Sequence, residues 1–205
     1  MSEGLFRSSD CAAVILAGGQ SRRFGEDKAF FEIHSTPMIK LIADNLHSHF
    51  ETVLVAGGDP DRMATLGLTC HVDPVPGKGA LGGIYNAMMH TDATSIFCCG
   101  CDMPLINGDV IRAVLDNAAD EDILLPMIDG VRQPLHAVYK RSLLDGIERL
   151  VRTGDAYLPQ LIKQARLRLL DESIFSGIAD YQLSFVSFND KTAIAKYSAY
   201  LRNCQ

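Results

Sequence analysis

Residues 12–28 read Ala12-Ala-Val-Ile-Leu-Ala-Gly-Gly-Gln-Ser-Arg-Arg-Phe-Gly-Glu-Asp-Lys28. The apolar run at the start is typical of a buried strand, and it leads directly into two adjacent glycines. Glycines let backbone N–H groups approach an anion closely, and Arg22, Arg23 and Lys28 add positive charge to the same loop. The segment therefore predicts a strand followed by a phosphate-binding loop.

Neither of the two common nucleotide-binding loops fits this segment. A Walker loop ends in Gly-Lys-Ser/Thr, whereas Gly25 is followed by Glu26. A dinucleotide fingerprint needs Gly-x-Gly, whereas Gly18 and Gly19 are adjacent. An ordinary glycine-rich turn with solvated basic residues is the structural alternative to a phosphate loop.

The composition excludes several classes of protein. The 205 residues carry 19 basic and 25 acidic side chains, a net charge of −6, which argues against a general nucleic-acid surface. No apolar stretch approaches the roughly 20 residues of a membrane span. The first seven residues lack the basic and then apolar order of a signal peptide. We expect a cytoplasmic protein with no membrane or nucleic-acid partner.

The cysteines raise the question of disulfides or a metal site. There are six of them: Cys11, Cys70, Cys98, Cys99, Cys101 and Cys204. Alternation along a strand would point Cys98 and Cys99 to opposite faces, and no second Cys or His pair has zinc spacing. We therefore expect buried, reduced thiols rather than a metal centre.

Apolar strand-like runs alternate with helix-like segments along the chain. Strands are predicted at 12–17, 53–56, 68–72 and 95–101. Helices are predicted at 37–50, 81–90, 110–119, 142–152, 158–165 and 192–202, the third capped by Asn107 or Asp109. A hairpin is predicted between 123–128 and 134–139, around Asp129-Gly130.

Continuous apolar strands separated by helices indicate an α/β fold. We expect a single Rossmann-like, three-layer domain over residues 1–205, with a mostly parallel central sheet, helices on both faces and an antiparallel hairpin. In such sheets ligands bind beyond the carboxyl ends of the strands. That rule brings together the loops 18–28, 73–83 and 102–106.

The second of these loops contains Asp73 at the end of a strand and Gly79 before a helix. A helix N-terminus with free N–H groups favours an anion or the polar edge of a nucleoside. A carboxylate at Asp73 suits hydrogen bonds from a ribose or base. A turn-forming role for Asp73 before Pro74 is the alternative.

The third loop begins with Asp102, directly after a buried strand and two residues before Pro104. A rigidly placed carboxylate at this edge suits Mg²⁺ bridging to nucleotide phosphates. The alternative is a helix cap, for which Asp109 is better spaced. The six histidines share no metal-ligand spacing. His136 lies in segment 132–139, which either binds a ligand at the cleft or only completes the sheet.

Taken together, the three loops resemble a known family. The pattern Leu-Ala-Gly-Gly-x-Ser-x-Arg-x-Gly-x-Asp-Lys at 16–28 is similar to the signature of the sugar-nucleotide-like nucleotidyltransferases, with the motif arginine on Arg23. Within them, the molybdenum cofactor guanylyltransferases of the MobA type are most similar. Asp73 with 79–83, the segment 101–104 and the segment 133–139 resemble further motifs of that family.

The resemblance implies Mg²⁺-dependent transfer of GMP from GTP to the terminal phosphate of molybdenum-molybdopterin, with release of pyrophosphate. It implies catalytic roles for Lys28, Arg23 and Asp102, and Asp102 as the metal ligand. The implied nucleotide-binding residues are Leu16, Ala17, Gly18, Gly19, Lys28, Asp73, Gly79 and Gly83. The implied acceptor-binding residues are Arg132, Gln133, Pro134, His136 and Asn189.

The family resemblance also divides the chain into a nucleotide-binding half, about 12–106, and an acceptor-binding half, about 107–205. Molybdoenzymes or their chaperones are the expected protein partners. Two departures from the family pattern are visible. Ala80 and Gly82 replace Pro and Ala in the second loop, and segment 185–191 keeps only the second Asn of an Asn-x-Asn motif, as Asn189.

Two other functions stay open at this point. The Leu-Ala-Gly-Gly opening is similar to that of guanine-selecting members, whereas related cytidylyltransferases tend to carry Ala-Ala-Gly. Glycine at position 18 lets a base approach the backbone more closely, and this favours guanine. A cytidylyltransferase acting on molybdopterin or another small phosphate is the first alternative. The second is a non-catalytic nucleotide-binding protein that delivers a cofactor.

Overall fold

A computed structural model describes residues 10–18, 27–75, 77–154, 157–189 and 191–201 of the chain. The described strands are β1 Cys11–Leu16, β2 Glu32–Ile33, β3 Thr36–Pro37, β4 Val53–Ala56, β5 Cys70–His71, β6 Ser95–Gly100, β7 Ile123–Ile128, β8 Val131–Arg132, β9 His136–Lys140 and β10 Leu167–Leu170. The described helices are α1 Met38–His47, α2 Pro60–Thr65, α3 Gly79–Met89, α4 Gly108–Asp116, α5 Leu144–Thr153, α6 Leu158–Gln164, α7 Lys191–Lys196 and α8 Ser198–Leu201. Short 3₁₀ helices lie at Lys28–Phe30, Arg141–Leu143, Glu172–Phe175 and Tyr181–Phe185.

The central sheet has the strand order β10-β7-β9-β6-β1-β4-β5, with β8 paired to the end of β7. Strand β1 pairs in parallel with both β4 and β6, and β10 pairs in parallel with β7. Strand β9 is antiparallel to both of its neighbours, β6 and β7. The sheet is therefore mostly parallel with one internal antiparallel strand, which confirms the predicted fold class.

Successive residues of the central strands face opposite layers of the core. Ala13 and Ile15 belong to one apolar cluster, which includes the buried residues of α1 and α4. Ala12 and Val14 belong to a second cluster, with residues of α3, α5 and α6. Helices thus cover both faces, which explains why β1 is apolar at every position rather than at alternate ones.

Several predicted boundaries were wrong in detail. Asp129-Gly130 forms the predicted turn, and the two-residue strand β8 pairs with β7 directly after it. The predicted partner segment also pairs antiparallel with β7, as strand β9, so the pairing of the two segments is confirmed. Strand β9 begins at His136 and lies between β6 and β7. The predicted C-terminal helix is two short helices, α7 and α8. Helix α4 is capped by Asn107, whose Oδ1 accepts a hydrogen bond from Asp109 N.

The carboxyl ends of four parallel strands form one continuous edge. At this edge Cys101 N donates to Leu16 O at 3.2 Å, and Ala17 N donates to Ala56 O at 3.0 Å. Gly57 N in turn donates to His71 O at 3.1 Å. The residues after β6, β1, β4 and β5 therefore lie side by side, and the predicted binding loops start from this edge.

Within the described residues, the helices all lack the length and apolar character needed to cross a membrane.

Candidate active site

Lys28 begins the first turn that the structure describes after Gly18. The Asp27 carboxylate accepts a hydrogen bond from Ala29 N at 3.2 Å and caps the 3₁₀ helix Lys28–Phe30. Ala29 is buried in the core, and only 8% of Lys28 is exposed. A lysine this buried needs a partner for its charge.

Two oxygen atoms partner the Lys28 ammonium group. Lys28 Nζ donates to Asp102 Oδ2 at 2.6 Å and to Asn189 Oδ1 at 2.8 Å. The side chains of Lys28 and Asp102 are 10% and 19% exposed, so this ion pair is partly shielded from water. We call Lys28, Asp102 and Asn189 the lysine cluster. It joins the ends of the glycine-rich loop, of β6 and of the C-terminal segment.

The C-terminal segment reaches the cluster through a backbone contact. Phe188 N donates to Asp102 O at 2.7 Å, and the Phe188 side chain is completely buried. This anchor places the next residue, Asn189, beside Lys28. From sequence, Asn189 was predicted to bind the acceptor. Its place beside Lys28 was not predicted, since 161 positions separate the two residues.

Gly100 makes room for the Asp102 carboxylate. A Cβ atom added to Gly100 would lie 2.5 Å from Asp102 Oδ1, so an alanine here could not coexist with the observed side chain. Asp102 Oδ2 faces Lys28, and Oδ1 accepts no hydrogen bond from any residue that the structure describes. The carboxylate therefore occupies a cradle, which is the space that a side chain at position 100 would otherwise fill.

Asp73 lies at the same edge in a different environment. Its Oδ1 is buried and has no hydrogen-bond partner among the described residues, and burial raises the pKa of its carboxyl group. A Cβ at Gly82 would lie 3.3 Å from both carboxylate oxygens and 2.9 Å from Lys78 Cβ. Gly82, which replaces the family's alanine, thus allows Asp73 and Lys78 to pack closely on α3.

The other predicted glycines have distinct local roles. A Cβ at Gly18 would meet nothing within 4 Å among the described residues, so packing does not demand glycine there. Gly79 has a φ of +56° at the start of α3, a conformation that favours glycine. Gly83 is buried, and a Cβ there would lie 2.8 Å from Leu16 Cδ2. Gly83 therefore serves helix–strand packing, and we assign it no nucleotide contact.

The predicted acceptor segment is only partly accessible. Arg132 is exposed and Gln133 is half-buried, with its Nε2 donating to Val131 O at 3.3 Å. Pro134 O accepts a hydrogen bond from the buried Tyr139 hydroxyl at 2.7 Å, which fixes the entry to β9.

The family resemblance implied that His136 contacts the acceptor, but its side chain is completely buried. Its ring packs between Phe97, at 5.0 Å between centroids, and Phe185, at 4.5 Å. Neither ring nitrogen has a hydrogen-bond partner among the described residues, and burial lowers the pKa of the imidazole to about 3. A direct contact of His136 with an acceptor is therefore withdrawn.

Gly19 and Arg23 lie outside the described residues.

The described cysteines are free thiols, and Cys98 and Cys99 belong to opposite core clusters, as strand alternation predicts. Burial raises the pKa of Cys11 to about 11, which keeps that thiol protonated. In the described ranges, no group of three or more His, Cys, Asp or Glu side chains could hold a metal by itself.

The family model described as a MobA-like NTP transferase domain matches residues 13–169, which is more than half of the chain. The chain belongs to the MobA-like NTP transferase family. All the elements at the carboxyl edge except the C-terminal segment lie within the matched region.

Individual proteins support the MobA-like assignment. A probable molybdenum cofactor guanylyltransferase of Pelotomaculum thermopropionicum is 30% identical over 190 residues, or 93% of each chain. The molybdenum cofactor guanylyltransferase of Desulfosudis oleivorans is 28% identical, over 92% of this chain and 95% of that one. The crystal structure of molybdopterin-guanine dinucleotide biosynthesis protein A from Archaeoglobus fulgidus superposes with a TM-score of 0.80. At 20% identity over 94% of this chain and 99% of that one, it shows a shared fold.

The family assignment makes this MobA-like protein an enzyme, a nucleotidyltransferase, and removes the non-catalytic delivery protein as an alternative. Its full-length similarity to the Pelotomaculum protein places it with the molybdenum cofactor guanylyltransferases. The lysine cluster and Asp73 are polar groups that the structure describes at this edge of the sheet.

Proposed function

We propose that the chain transfers GMP from GTP to the terminal phosphate of molybdenum-molybdopterin and releases pyrophosphate. The observation that carries the proposal is the lysine cluster, in which Lys28 Nζ meets Asp102 and Asn189 at the carboxyl edge of the sheet. Ligands gather at this edge in open α/β sheets. The names of the full-length relatives supply the guanylyl group and the acceptor.

The transfer needs charge stabilisation more than proton transfer. The attacking phosphate is already an anion at neutral pH, so no strong general base is required. The protein's contribution is to align the phosphate with the α-phosphorus and to stabilise the charge that develops on the leaving pyrophosphate. Lys28 supplies a positive charge at the correct edge. By resemblance we add Arg23, which lies outside the described residues.

Asp102 fits the role of a ligand for Mg²⁺. The ion prefers oxygen ligands and is usually held by one or two carboxylates together with substrate phosphates and waters. Asp102 offers a carboxylate in the Gly100 cradle, and its Oδ1 accepts no hydrogen bond from the described residues. When bound, the metal would add positive charge at the phosphates.

The guanosine is assigned to the edge beside β1 and β5. Leu16, Ala17 and Gly18 run along this edge, and we add Gly19 by resemblance. Among the described residues, nothing lies within 4 Å of a Cβ at Gly18, which fits close approach of a base to the backbone. Asp73 presents a buried oxygen that needs a donor, and ribose hydroxyls and base N–H groups are donors. Gly79 shapes the entry to α3.

The acceptor is assigned to the neighbouring edge, beside the β7–β8 hairpin. Arg132 is exposed there and carries a charge complementary to a phosphate. Gln133 and Pro134 lie next to it, and Asn189 approaches from the C-terminal segment. This assignment rests on the motif resemblance and on the exposure of Arg132.

Pyrophosphate release tests the proposed reaction. The purified protein is incubated with Mg²⁺, molybdenum-loaded molybdopterin and either GTP or CTP. We expect release that depends on the pterin and on GTP. Release with CTP instead would make the enzyme a cytidylyltransferase, and release with neither nucleotide would contradict the proposed function.

Replacing Gly18 with alanine tests the assignment of the base. Because a Cβ at this position contacts none of the described residues, the melting temperature should stay within about 2 °C of the wild type. The methyl group should obstruct the guanine and raise the KM for GTP by about tenfold. Steady-state kinetics with both nucleotides measures the change. An unchanged KM would remove Gly18 from the base site.

A further inference from the structure

Helix α2 contributes an arginine whose contacts the proposed reaction does not use. The Arg62 guanidinium carbon lies 3.6 Å from the centroid of the Phe30 ring, which is a cation–π contact. Arg62 Nη1 also lies 3.7 Å from Asp27 Oδ2. Phe30 and Asp27 lie on either side of Lys28 along the chain. One guanidinium group therefore contacts both ends of the turn that contains Lys28.

The backbone of Arg62 is itself firmly placed. Asp59 caps α2, and its Oδ1 accepts hydrogen bonds from Asp61 N at 3.0 Å and from Arg62 N at 3.3 Å. Pro60 occupies the first helical position, where its fixed φ favours the helix. Met63 is completely buried in the core. These contacts fix a helix of only six residues, so the Arg62 side chain extends from a defined position.

The turn before α2 contacts the other described end of the glycine-rich loop. Gly57 has a φ of +83°, and a Cβ there would lie 3.0 Å from Gly18 N. Gly57 N donates to His71 O, which ties the turn to the sheet. Residues 57–62 thus reach Gly18 at one end of the loop and Asp27 at the other. A single short unit supports both described ends of the loop.

We propose that Arg62 is a positioning residue for the transfer, which acts by fixing the Lys28–Phe30 turn and so the direction of Lys28 Nζ. The proposal rests on the phosphate role of Lys28 given under the proposed function. Arg62 itself does not contact the nucleotide in this account. Its planar group matters because it covers an aromatic ring and faces a carboxylate at the same time.

The Arg152–Glu148 pair provides a comparison, since it is a surface ion pair within a single helix. Arg152 Nη2 lies 2.6 Å from Glu148 Oε1, a shorter distance than that of the Arg62 pair. Both of its partners lie on α5, one turn apart, so the contact links no separate elements. Exposed pairs of this kind contribute little. Arg152→Ala is therefore a matched control that removes an arginine and an ion pair without touching the lysine turn.

The first test is kinetic and uses Arg62→Ala, Arg62→Lys and Arg152→Ala. Arg62→Ala should lower kcat for pyrophosphate release by about five- to tenfold, since two modest contacts are lost. Arg62→Lys keeps the charge near Asp27 but not the planar group, so its loss should be about two- to threefold. Arg152→Ala should be unchanged. The melting temperatures of all three should stay within about 3 °C of the wild type.

The second test combines Arg62→Ala with Lys28→Ala. A residue that acts only through Lys28 should cost nothing further once the lysine is absent. Single-turnover pyrophosphate release measures this coupling. A full additional loss in the double variant would mean that Arg62 contacts the phosphates itself, and would overturn the positioning role. Wild-type kcat in Arg62→Ala would overturn it as well.

Amide hydrogen exchange keeps the proposal testable apart from the enzyme's activity. Arg62→Ala should speed exchange in peptides covering 27–31, and Arg152→Ala should not. If the wild type releases no pyrophosphate from GTP, the proposed function fails while this measurement still reports on the turn. Unchanged exchange in Arg62→Ala would contradict the proposal even in an active enzyme.

Discussion

Asp102 and Asp73 occupy equivalent positions in the fold and have opposite surroundings. Each lies two residues beyond the end of a parallel strand, β6 for Asp102 and β5 for Asp73. Asp102 is paired with Lys28 at 2.6 Å and lies in the cradle made by Gly100. Asp73 has a buried oxygen without a partner in the described structure and a raised pKa.

This contrast shows how one sheet edge can serve two chemical tasks. A carboxylate beside a lysine is already in a polar, charged environment, which suits binding of a cation and stabilisation of phosphate charge. A desolvated carboxylate without a donor is costly in the free protein, and a ligand that supplies N–H or O–H groups removes that cost. Under the proposed function, Asp102 belongs to a phosphate region and Asp73 to a nucleoside region of the same edge.

Gly100→Ala should have the largest effect, because it disrupts the pairing of Asp102 with Lys28. The new Cβ would lie 2.5 Å from Asp102 Oδ1, so the carboxylate must turn away and leave Lys28. A displacement of about 1 Å in a reacting group typically costs about 100-fold in rate. We expect a comparable fall in kcat for pyrophosphate release. Some stability should be lost as well, because the largely buried Lys28 loses the carboxylate that balances its charge.

Gly146→Ala is the control for that prediction. Gly146 lies in α5, and the nearest described atom to an added Cβ is Arg149 Nη2 at 3.9 Å. Wild-type kcat is expected for this variant. Full activity in Gly100→Ala would show that the observed Asp102 orientation is not the working one.

Asp73→Asn should have a smaller effect and act on affinity rather than on rate. The asparagine retains an oxygen acceptor but loses the negative charge that strengthens hydrogen bonds from the nucleoside. We expect GTP to bind about three- to tenfold more weakly, measured by calorimetry with Mg²⁺ present. A fall in kcat with unchanged affinity would place Asp73 in the phosphate region and erase the proposed division of the edge.

The smallest effect should be on stability, and it should depend on pH. Because the folded-state pKa of Asp73 is raised, the folded protein bears a cost for the charged carboxylate above that pKa. Well below the ordinary value of 3.8, the carboxyl group is protonated in both states and the cost is absent. Asp73→Asn should therefore raise the melting temperature by about 1–2 °C at pH 7 and lose that gain toward pH 3. A gain of equal size at both pH values would contradict burial of the charge as its cause.

The parts of this site that could be predicted from sequence are those near the ends of apolar runs. Runs such as 95–100 identify buried strands at once, and a carboxylate that follows them must lie at the edge. Asp73 and Asp102 were located in this way. Helix α2 was missed because six residues are too few to show helical periodicity.

Other features depend on contacts between distant parts of the chain. The place of Asn189 beside Lys28 is set by how the C-terminal segment docks on Asp102, and no local pattern encodes that docking. His136 was misplaced for a related reason. Its strand lies inside the sheet and both faces are covered, so alternation along β9 does not distinguish a cleft-facing side chain from a buried one.

Under the proposed function, Lys28 and Asp102 act on the phosphates of GTP during the transfer. The most direct measurement is GTP-dependent pyrophosphate release, with molybdenum-molybdopterin and Mg²⁺, by Lys28→Ala and Asp102→Ala. Lys40→Ala is the control, because Lys40 forms a surface pair with Asp44 along α1. Each site variant should lose about 100-fold or more in kcat and stay folded, while Lys40→Ala keeps wild-type turnover. Near-wild-type turnover in either folded site variant would contradict the claim.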